Sequence, residues 1–328
     1  MDRRARVLAA LEGRRVDQIP FTLWRCAYLQ AETADGLARS TLDLAERYDV
    51  DLLVLTPGPY HLAQAWGADV RSFRSDAVAP VLGSPLIDYP TAWRHLPALD
   101  VPHSSLQREI DAVRLVRARL AAQETPLVVW VPCPLATADA LCGGRILSDL
   151  RAYPGDVRAA LATIVAGTIR YLDACLEAGA DGYLFVTPYA SPGRMRQREF
   201  RTFGLAFDLQ VIDALDSAPI RILHLDTEDP GLAWVSRYPV QAVGWQGEFA
   251  SPFLNDETEP FRFTRVGGLD PHVFSSGFAA DLEGQVAAAL DATGGWRLIL
   301  APAGALPADA DEDLVSAIGP LLGRVRAR

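Results

Sequence analysis

The sequence predicts an α/β protein that folds as a single (β/α)8 TIM barrel spanning residues 1–328. Three observations predict this fold. Eight short apolar segments recur along the chain, amphipathic segments separate most of them, and no GxGxxG turn follows any of the eight. Strands that alternate with helices in one domain's length of chain are typical of this barrel. The alternative is a doubly wound sheet, which would be expected to carry that glycine-rich turn.

The eight apolar segments are predicted to be parallel strands. They are rich in Val, Ile, Leu and aromatic residues, and their apolar positions do not alternate with polar ones, which indicates burial on both faces. In chain order they are residues 19–24, 51–57, 127–133, 182–188, 220–226, 240–246, 263–269 and 296–302.

Helices are predicted between most of these strands and at the end of the chain. Their apolar residues recur at three- and four-residue spacing, and one of them ends at a C-cap glycine, Gly179. The predicted helices are residues 37–48, 105–122, 156–179, 200–215, 230–238, 281–292 and the C-terminal 309–325.

One connection is much longer than the others. About seventy residues separate the second and third strands, and part of them, 68–90, alternates and contains Gly-Ser and Pro turns. This pattern predicts a β-hairpin insertion. Such an insertion on the carboxyl face of a barrel can cover a substrate or form a dimer contact, and the sequence leaves both open. Residues 250–260 are predicted to form a polar loop after the sixth strand.

Composition narrows the class of partner. The formal net charge is −10, which argues against a nucleic-acid-binding surface and against affinity for anionic membranes. A small-molecule substrate is therefore expected. The four cysteines form no CxxC pair and are expected to be free thiols in a reducing compartment. Residues 1–20 contain no apolar run long enough for a signal peptide, so a cytoplasmic location is expected.

Four residues near predicted strand ends are candidate substrate-binding residues. In a barrel of this kind, chemistry is concentrated where strands meet the following loops. Arg25 follows the first strand, His61 the second, Tyr189 the fourth and His272 the seventh. Each has a structural alternative: Arg25 could pair with a carboxylate, the two histidines could be structural, and Tyr189 could simply cover the mouth.

The predicted catalytic pair is His224 and Asp226, at the end of the fifth strand. Being two residues apart on a strand, their side chains share one face. An imidazole beside a carboxylate can act as an acid–base pair, hold a substrate acid or bind a metal, with Glu248 as a third ligand. A structural histidine is the alternative. The following residues, 228–230, are predicted to begin the next helix.

Several segments resemble the uroporphyrinogen decarboxylase superfamily. They are RVDQIPFTLWR, TLDLAERYDVDLLVLTP, LEAGADGYLFVTPYASP, VGGLDP and GALPADADEDLVSAI. The resemblance covers nearly the whole chain. It implies a barrel enzyme, because these proteins include tetrapyrrole decarboxylases, zinc-dependent methyltransferases that serve corrinoid proteins, and cobalamin-independent methionine synthases. It also implies a homodimer as an option.

The decarboxylase residues of that superfamily are mostly replaced. Leu29, Gly58, Ala140 and Ala303 stand where the resemblance implies an arginine, an aspartate, a tyrosine and a histidine, and only Arg25 is retained. A polycarboxylic porphyrinogen needs several basic contacts. Uroporphyrinogen itself is therefore not the expected substrate.

The zinc ligands of the methyltransferase branch are replaced as well. The resemblance places zinc on a His-x-Cys at the fifth strand and on a late cysteine. His224 matches the first ligand, but Asp226 and Ala303 replace the two thiolates that activate a substrate sulfur. No cofactor is firmly predicted, and zinc is the metal that this branch implies.

Three functions remain open on the sequence. The first is a decarboxylase-type lyase acting on a carboxylated small molecule other than uroporphyrinogen. The second is a metal-assisted methyltransferase whose partner would be a corrinoid protein. The third is a ligand-binding barrel without catalysis.

Overall fold

The structure, a computed structural model, describes residues 1–120, 125–246 and 262–325. Its strands are β1 (Thr22–Leu23), β2 (Leu52–Leu55), β3 (Val70–Arg71), β4 (Val81–Leu82), β5 (Leu127–Pro132), β6 (Gly182–Thr187), β7 (Ile220–Leu225), β8 (Ala242–Trp245), β9 (Thr264–Leu269) and β10 (Leu298–Pro302). Eight of them form one parallel sheet in the order β1-β2-β5-β6-β7-β8-β9-β10. A parallel bridge between Phe21 and Leu300 joins its two edges. The predicted (β/α)8 barrel is confirmed.

Helices surround this sheet. They are α1 (Arg3–Leu11), α2 (Ala34–Tyr48), α3 (His61–Ala65), α4 (Gln107–Leu120), α5 (Pro134–Leu141), α6 (Ile146–Ala152), α7 (Pro154–Glu177), α8 (Gln197–Glu199), α9 (Ala206–Ala214), α10 (Val273–Ser276), α11 (Ala279–Thr293) and α12 (Glu312–Val325). A π-helical turn, Phe200–Leu205, joins α8 to α9. By length and hydropathy alone α7 could span a membrane, but half of its apolar stretch is buried in the protein.

Alternate residues of each strand belong to two different cores. On β7, Ile220 and Ile222 belong to the core inside the barrel, whereas Leu223 and Leu225 belong to the core between strands and helices. Full burial of one such side chain contributes roughly 1.5–3 kcal/mol. The inner core also includes Leu11 of α1, so this helix closes the amino-terminal end of the barrel. The position of a residue along a strand therefore decides which core its side chain joins.

The predicted hairpin insertion is confirmed, although its strands are short. Val70 pairs with Leu82 and Arg71 with Val81 in an antiparallel register. The predicted hairpin covered 68–90, but only two residues on each side form a ladder, and the residues between the two strands are mostly exposed.

The helix predicted at 230–238 is wrong. The structure contains only a 3-10 turn, Leu232–Trp234, in this region. Pro239 lacks the N–H that would continue a helix, and the chain is held instead by the neighbouring loop: Gly231 N–H donates to the Ala190 carbonyl at 2.7 Å. Asp229 is likewise not a helix-start residue, because its carboxylate accepts the Gly193 N–H at 3.1 Å.

Candidate active site

His224 lies inside the barrel at the carboxyl end of β7. It follows Ile222 on the inner face and is 4% exposed. The ring of Trp24, from β1 on the opposite side of the barrel, meets it edge-on with 5.9 Å between centroids. On β8 the neighbouring residue is Gly244, and a Cβ there would lie 3.0 Å from His224 Nδ1. The absence of a side chain at Gly244 is what makes room for the imidazole.

Burial keeps the His224 imidazole neutral. Desolvation lowers its pKa below the ordinary value, and the nearby charge of Asp226 offsets only part of this effect. Its Nδ1 has no hydrogen-bond partner among the described residues. A buried nitrogen without a partner costs free energy, so this atom is suited to accept a hydrogen bond or a proton from a bound molecule.

Asp226 stands above His224, at the mouth, and is exposed. Its carboxylate accepts a hydrogen bond from Gln246 Nε2, which follows β8, at 2.5 Å. On its other side lies Cys26, after β1. Burial and the charge of Asp226 raise the pKa of the Cys26 thiol, whereas a hydrogen bond with Tyr28 lowers it. The nearby Tyr60 contributes to raising the pKa of the Tyr28 hydroxyl.

Polar groups therefore cross the mouth from Gln246 through Asp226 and Cys26 to the two tyrosines. Sequence reasoning did not single out Cys26 or Tyr28, whereas Tyr60 and Gln246 follow the second and sixth predicted strands, where chemistry was expected but no role was assigned to them. The sequence did contain a signal that Cys26 and Gln246 face the barrel mouth. Cys26 is two residues beyond the inward-facing Trp24, and Gln246 is two residues beyond Gly244. The same parity argument that joined His224 to Asp226 applies to both.

A cavity of about 750 Å³ opens at the carboxyl ends of β8, β9 and β10. Among the described residues, three carboxylates and two amides line it, together with apolar residues and no arginine. The polar lining residues are Glu228, Gln246, Asp270, His272, Asp281 and Gln285.

A smaller recess of about 160 Å³ lies on the other side of Asp226, between β2, β5 and β6. Two aromatic side chains line it, Trp130 and Tyr60, and both are partly exposed. The other lining residues are Pro59, Ala63, Pro132, Ala136, Thr137, Ala140, Val186 and Pro188. Asp226 is the one charged residue among the described residues of this lining.

A third cavity, of about 270 Å³, lies beside the hairpin insertion. Its lining includes Tyr28 and Tyr60 from the mouth, Glu32, and Arg108 of α4. The Arg108 guanidinium pairs with Glu109 at 3.1 Å.

Arg25 is placed at the mouth but not beside the catalytic pair. Its carbonyl accepts the Thr56 hydroxyl at 2.7 Å, and its backbone bridges Leu306. Its Nε is buried without a hydrogen-bond partner among the described residues. No carboxylate among the described residues pairs with the Arg25 side chain, so the structural alternative for Arg25 is not observed there. The role of Arg25 in substrate binding stays a prediction.

His61 and Tyr189 are buried and line neither of the two cavities beside Asp226. The His61 side chain is fully buried, its Nδ1–H donates to the Gly58 carbonyl at 3.0 Å, and burial lowers its pKa. Tyr189 is 3% exposed and joins the outer core, where burial and a hydrogen bond with Asp139 raise its pKa. His61 does line the third cavity, and the predicted roles of His61 and Tyr189 in substrate binding stay predictions.

His272 does line the large cavity, and Glu248 lies outside the described residues. His272 is exposed, and its backbone N–H donates to Asp270 at 2.9 Å. Glu228, expected only to start a helix, also lines the large cavity. It thus belongs with the mouth residues that the sequence did not single out.

The described residues do not fit the zinc site that the methyltransferase branch implies. They contain no group of three His, Cys, Asp or Glu side chains able to share a metal ion. His224 and Asp226 supply an imidazole and a carboxylate, but Ala303, in the lining of the large cavity, has no donor atom. Soft thiolate ligands suit a zinc ion that activates a thiol, and the described residues at this position supply none.

Fold and mouth together define a (β/α)8 barrel with a candidate active site at the carboxyl ends of its strands. The chain belongs to the uroporphyrinogen decarboxylase (URO-D) family, whose model matches residues 2–319. Members of this superfamily are enzymes, either decarboxylases or methyltransferases. The resemblance seen in the sequence is thereby confirmed.

Curated relatives include two methyltransferases from a methanogen. The chain is 27% identical over 247 residues to the methylcobamide:CoM methyltransferase MtaA of Methanosarcina barkeri, covering 68% of this chain and 68% of that protein. It is 26% identical, with the same coverage, to the MtaA of the Fusaro strain.

Solved structures show the same fold. A methyltransferase from Methanosarcina mazei superposes with a TM-score of 0.81 at 19% identity, covering 99% of both chains. A B12-independent methionine synthase from Shewanella sp. W3-18-1 superposes with a TM-score of 0.58 at 12% identity, covering 97% of this chain and 98% of the other. At these identities the likeness concerns the fold alone.

Proposed function

We propose that this protein is a methyltransferase that works at the barrel mouth, with His224 and Asp226 at the reacting centre. The observation that carries the proposal is the charge of the two cavities beside Asp226. The described residues lining the large cavity and the recess include four carboxylates and no arginine. A polycarboxylic substrate needs several basic contacts, whereas methyl transfer needs none. The names of the two curated relatives support the same choice.

In this proposal His224 takes the proton of the methyl acceptor. The acceptor, a thiol or a similar X–H group, enters from the large cavity and reaches the buried His224 past Gln246 and Asp226, since His224 itself is not part of that cavity's lining. Its proton passes to the unpartnered Nδ1, and its lone pair takes the methyl group. Burial keeps the imidazole neutral beforehand, and the Asp226 carboxylate stabilises the imidazolium that forms. This differs from a zinc mechanism, in which a metal would bind the acceptor sulfur.

Methylcobalamin with a panel of thiols is the first assay to run, because the relatives are methylcobamide enzymes by name. The expected result is loss of the methylcobalamin absorbance with formation of an S-methyl product, on free methylcobalamin or on a methylated corrinoid protein. The matched control is His103→Ala, because His103 is a surface histidine with an 82% exposed side chain. Transfer that is equally fast in His224→Ala and in the control would contradict the assignment of His224.

A decarboxylase-type lyase is the second candidate, and Arg25 is the observation that favours it. An arginine without a side-chain partner among the described residues is able to hold a carboxylate. Release of CO2 from a panel of small carboxylic acids, abolished in Arg25→Gln, would favour this candidate over methyl transfer.

A further inference from the structure

The recess beside Asp226 has the composition of a site for a methylated cation. Trp130 and Tyr60 present aromatic surface, and the remaining residues are mainly Pro, Ala and Val. The negative face of an aromatic ring attracts a cation, most strongly for Trp, and cages of such rings recognise quaternary ammonium groups. The methyl groups of such a cation would contact the apolar part of the lining.

Trp130 is available to a ligand even though it is an inward-facing residue. Val128, two residues before it on β5, is fully buried in the inner core, whereas Trp130 is only partly buried. The His61 ring packs against the Trp130 ring, with 5.8 Å between the two ring centroids. Its partial exposure arises where it lines the recess.

Charge in and around the recess favours a cation. Asp226 is the one charged residue in the recess lining, and Glu228, Asp270 and Asp281 line the adjoining large cavity. An anion would find little to bind. The Ala136 N–H at the start of α5 already donates to the Cys133 sulfur at 3.3 Å, so it is not offered to a ligand.

The size of the recess also agrees with such a group. A water molecule takes about 30 Å³ in the liquid, so a recess of about 160 Å³ admits a group of about five non-hydrogen atoms. A trimethylammonium head with its attached carbon has five, and a dimethylsulfonium head has fewer. A corrinoid is far too large for this recess.

We propose that this recess binds a small methylated onium ion, an ammonium or a sulfonium, as a second methyl donor beside methylcobalamin. The inference rests on the proposed methyltransferase function and names its donor class. The carbon–nitrogen or carbon–sulfur bond of the onium ion breaks with its electron pair remaining on the heteroatom. The acceptor thiol loses its proton to His224, its sulfur lone pair forms the new bond to the methyl group, and a neutral amine or thioether leaves.

Calorimetric titration with choline and with its neutral isostere 3,3-dimethylbutan-1-ol tests the site. The two probes have nearly the same shape and differ in charge. Choline is expected to bind at least about tenfold more tightly to the wild-type protein, since a desolvated cation–π contact adds to the charge attraction of Asp226. Equal affinity for the two probes, or no binding of choline, overturns the proposal.

Substitutions in the lining of the recess test whether choline binds there. Trp130→Leu and Asp226→Asn are each expected to weaken choline binding about tenfold. Trp296→Leu is the matched control, because Trp296 is 53% exposed and its indole N–H bonds to the Gly13 carbonyl. Tyr60→Leu gives a second aromatic variant should Trp130→Leu fail to fold. Choline affinity that is unchanged in both Asp226→Asn and a folded aromatic variant overturns the site.

The titration separates this inference from the function on which it rests. Methyl transfer from methylcobalamin without choline binding would leave the methyltransferase in place and remove the onium donor. Choline binding without transfer from methylcobalamin would support the recess site.

Discussion

Gln246 and Asp226, at the ends of neighbouring strands β8 and β7, are joined by a hydrogen bond from the Gln246 amide to the Asp226 carboxylate at 2.5 Å. Gln246 lines the large cavity and Asp226 lines the recess. This contact therefore stands between the two compartments that the proposed acceptor and donor would occupy. It also fixes the carboxylate that faces His224.

Removing this contact is expected to slow turnover. Gln246→Leu deprives the Asp226 carboxylate of its donor, and hydrogen bonds to charged groups contribute about 1.5–3 kcal/mol. We expect kcat to fall about tenfold or more, measured by S-methyl product formation. Gln210→Leu is the control, because Gln210 is an exposed residue of α9. A Gln246→Leu enzyme as fast as that control would show that the bond has no catalytic role.

His224→Ala is expected to abolish turnover and to preserve the fold. General-base catalysis contributes about 10²–10⁴-fold, so kcat should fall by at least about 100-fold. Added imidazole should restore part of the rate, because the deleted ring leaves a space between Trp24 and Gly244. Circular dichroism checks the fold. Full activity in this variant would remove His224 from the reacting centre.

Gly244→Ala is expected to damage both stability and activity. The added Cβ would lie 2.7 Å from the Val266 carbonyl oxygen and 3.0 Å from His224 Nδ1. Overpacking of this kind costs about 1–3 kcal/mol, measured by urea unfolding. Gly323→Ala, at an exposed position of α12 with nothing near its Cβ position, should instead raise the free energy of unfolding by about 0.5–1 kcal/mol. Similar behaviour of the two variants would contradict this geometry.

Asp208 is expected to make stability depend on pH near neutrality. Burial raises its pKa from 3.8 to about 7, although the Tyr238 hydroxyl donates to it at 2.6 Å and lowers it in part. Between about pH 4 and 7 the folded protein keeps a proton that the unfolded chain has released. Its contribution to the free energy of unfolding is therefore full below pH 4 and is lost as pH rises through 7.

Asp208→Asn should remove this dependence. Relative to the wild type, the slope of the free energy of unfolding between pH 5 and 7 should become less negative by up to about 1.4 kcal/mol per pH unit. Urea unfolding at several pH values measures it. Asp213→Asn, an exposed residue of the same helix, should keep the wild-type slope. An unchanged slope in Asp208→Asn would mean that this carboxyl is ionised in the folded protein.

Introducing cysteines at the two positions where the superfamily has zinc-binding thiolates is expected to raise the zinc content of the protein. The resemblance places the missing zinc ligands at Asp226 and Ala303. We expect the Asp226→Cys/Ala303→Cys double variant to copurify with about one zinc ion per chain by elemental analysis, and the Ala303→Cys single variant to hold much less. Stoichiometric zinc in the wild-type protein would instead indicate a donor from outside the described residues, such as Glu248.

The repeating pattern of the sequence was sufficient to predict the barrel and the position of its best candidate. Eight apolar segments predicted the eight strands, because each is buried on both faces and local composition reflects that burial. The spacing of His224 and Asp226 predicted a shared face, since side chains alternate along a strand. The same rule, had it been applied to β6, would have predicted that Tyr189 faces outward beside Tyr183 and Phe185.

Local signals failed where neighbouring segments decide the conformation. The predicted helix at 230–238 is replaced by a short turn, because Gly231 is bonded to the loop after β6. His61 is at a strand end, as predicted, but the first turn of α3 directs its ring inward to Gly58 and Glu109. A strand-end position fixes where the backbone lies and leaves the direction of the side chain to packing.

The sequence alone determined the fold class, the order of the strands along the chain and the shared face of His224 and Asp226, whereas the structure decided that this face points inward. Only the tertiary structure decided what surrounds that pair: the edge of Trp24, the thiol of Cys26, the amide of Gln246 and the aromatic recess at Trp130. These contacts join residues that are far apart in the chain, and they form only when the sheet closes on itself. Periodicity describes one strand at a time, whereas the distance across a barrel depends on all eight.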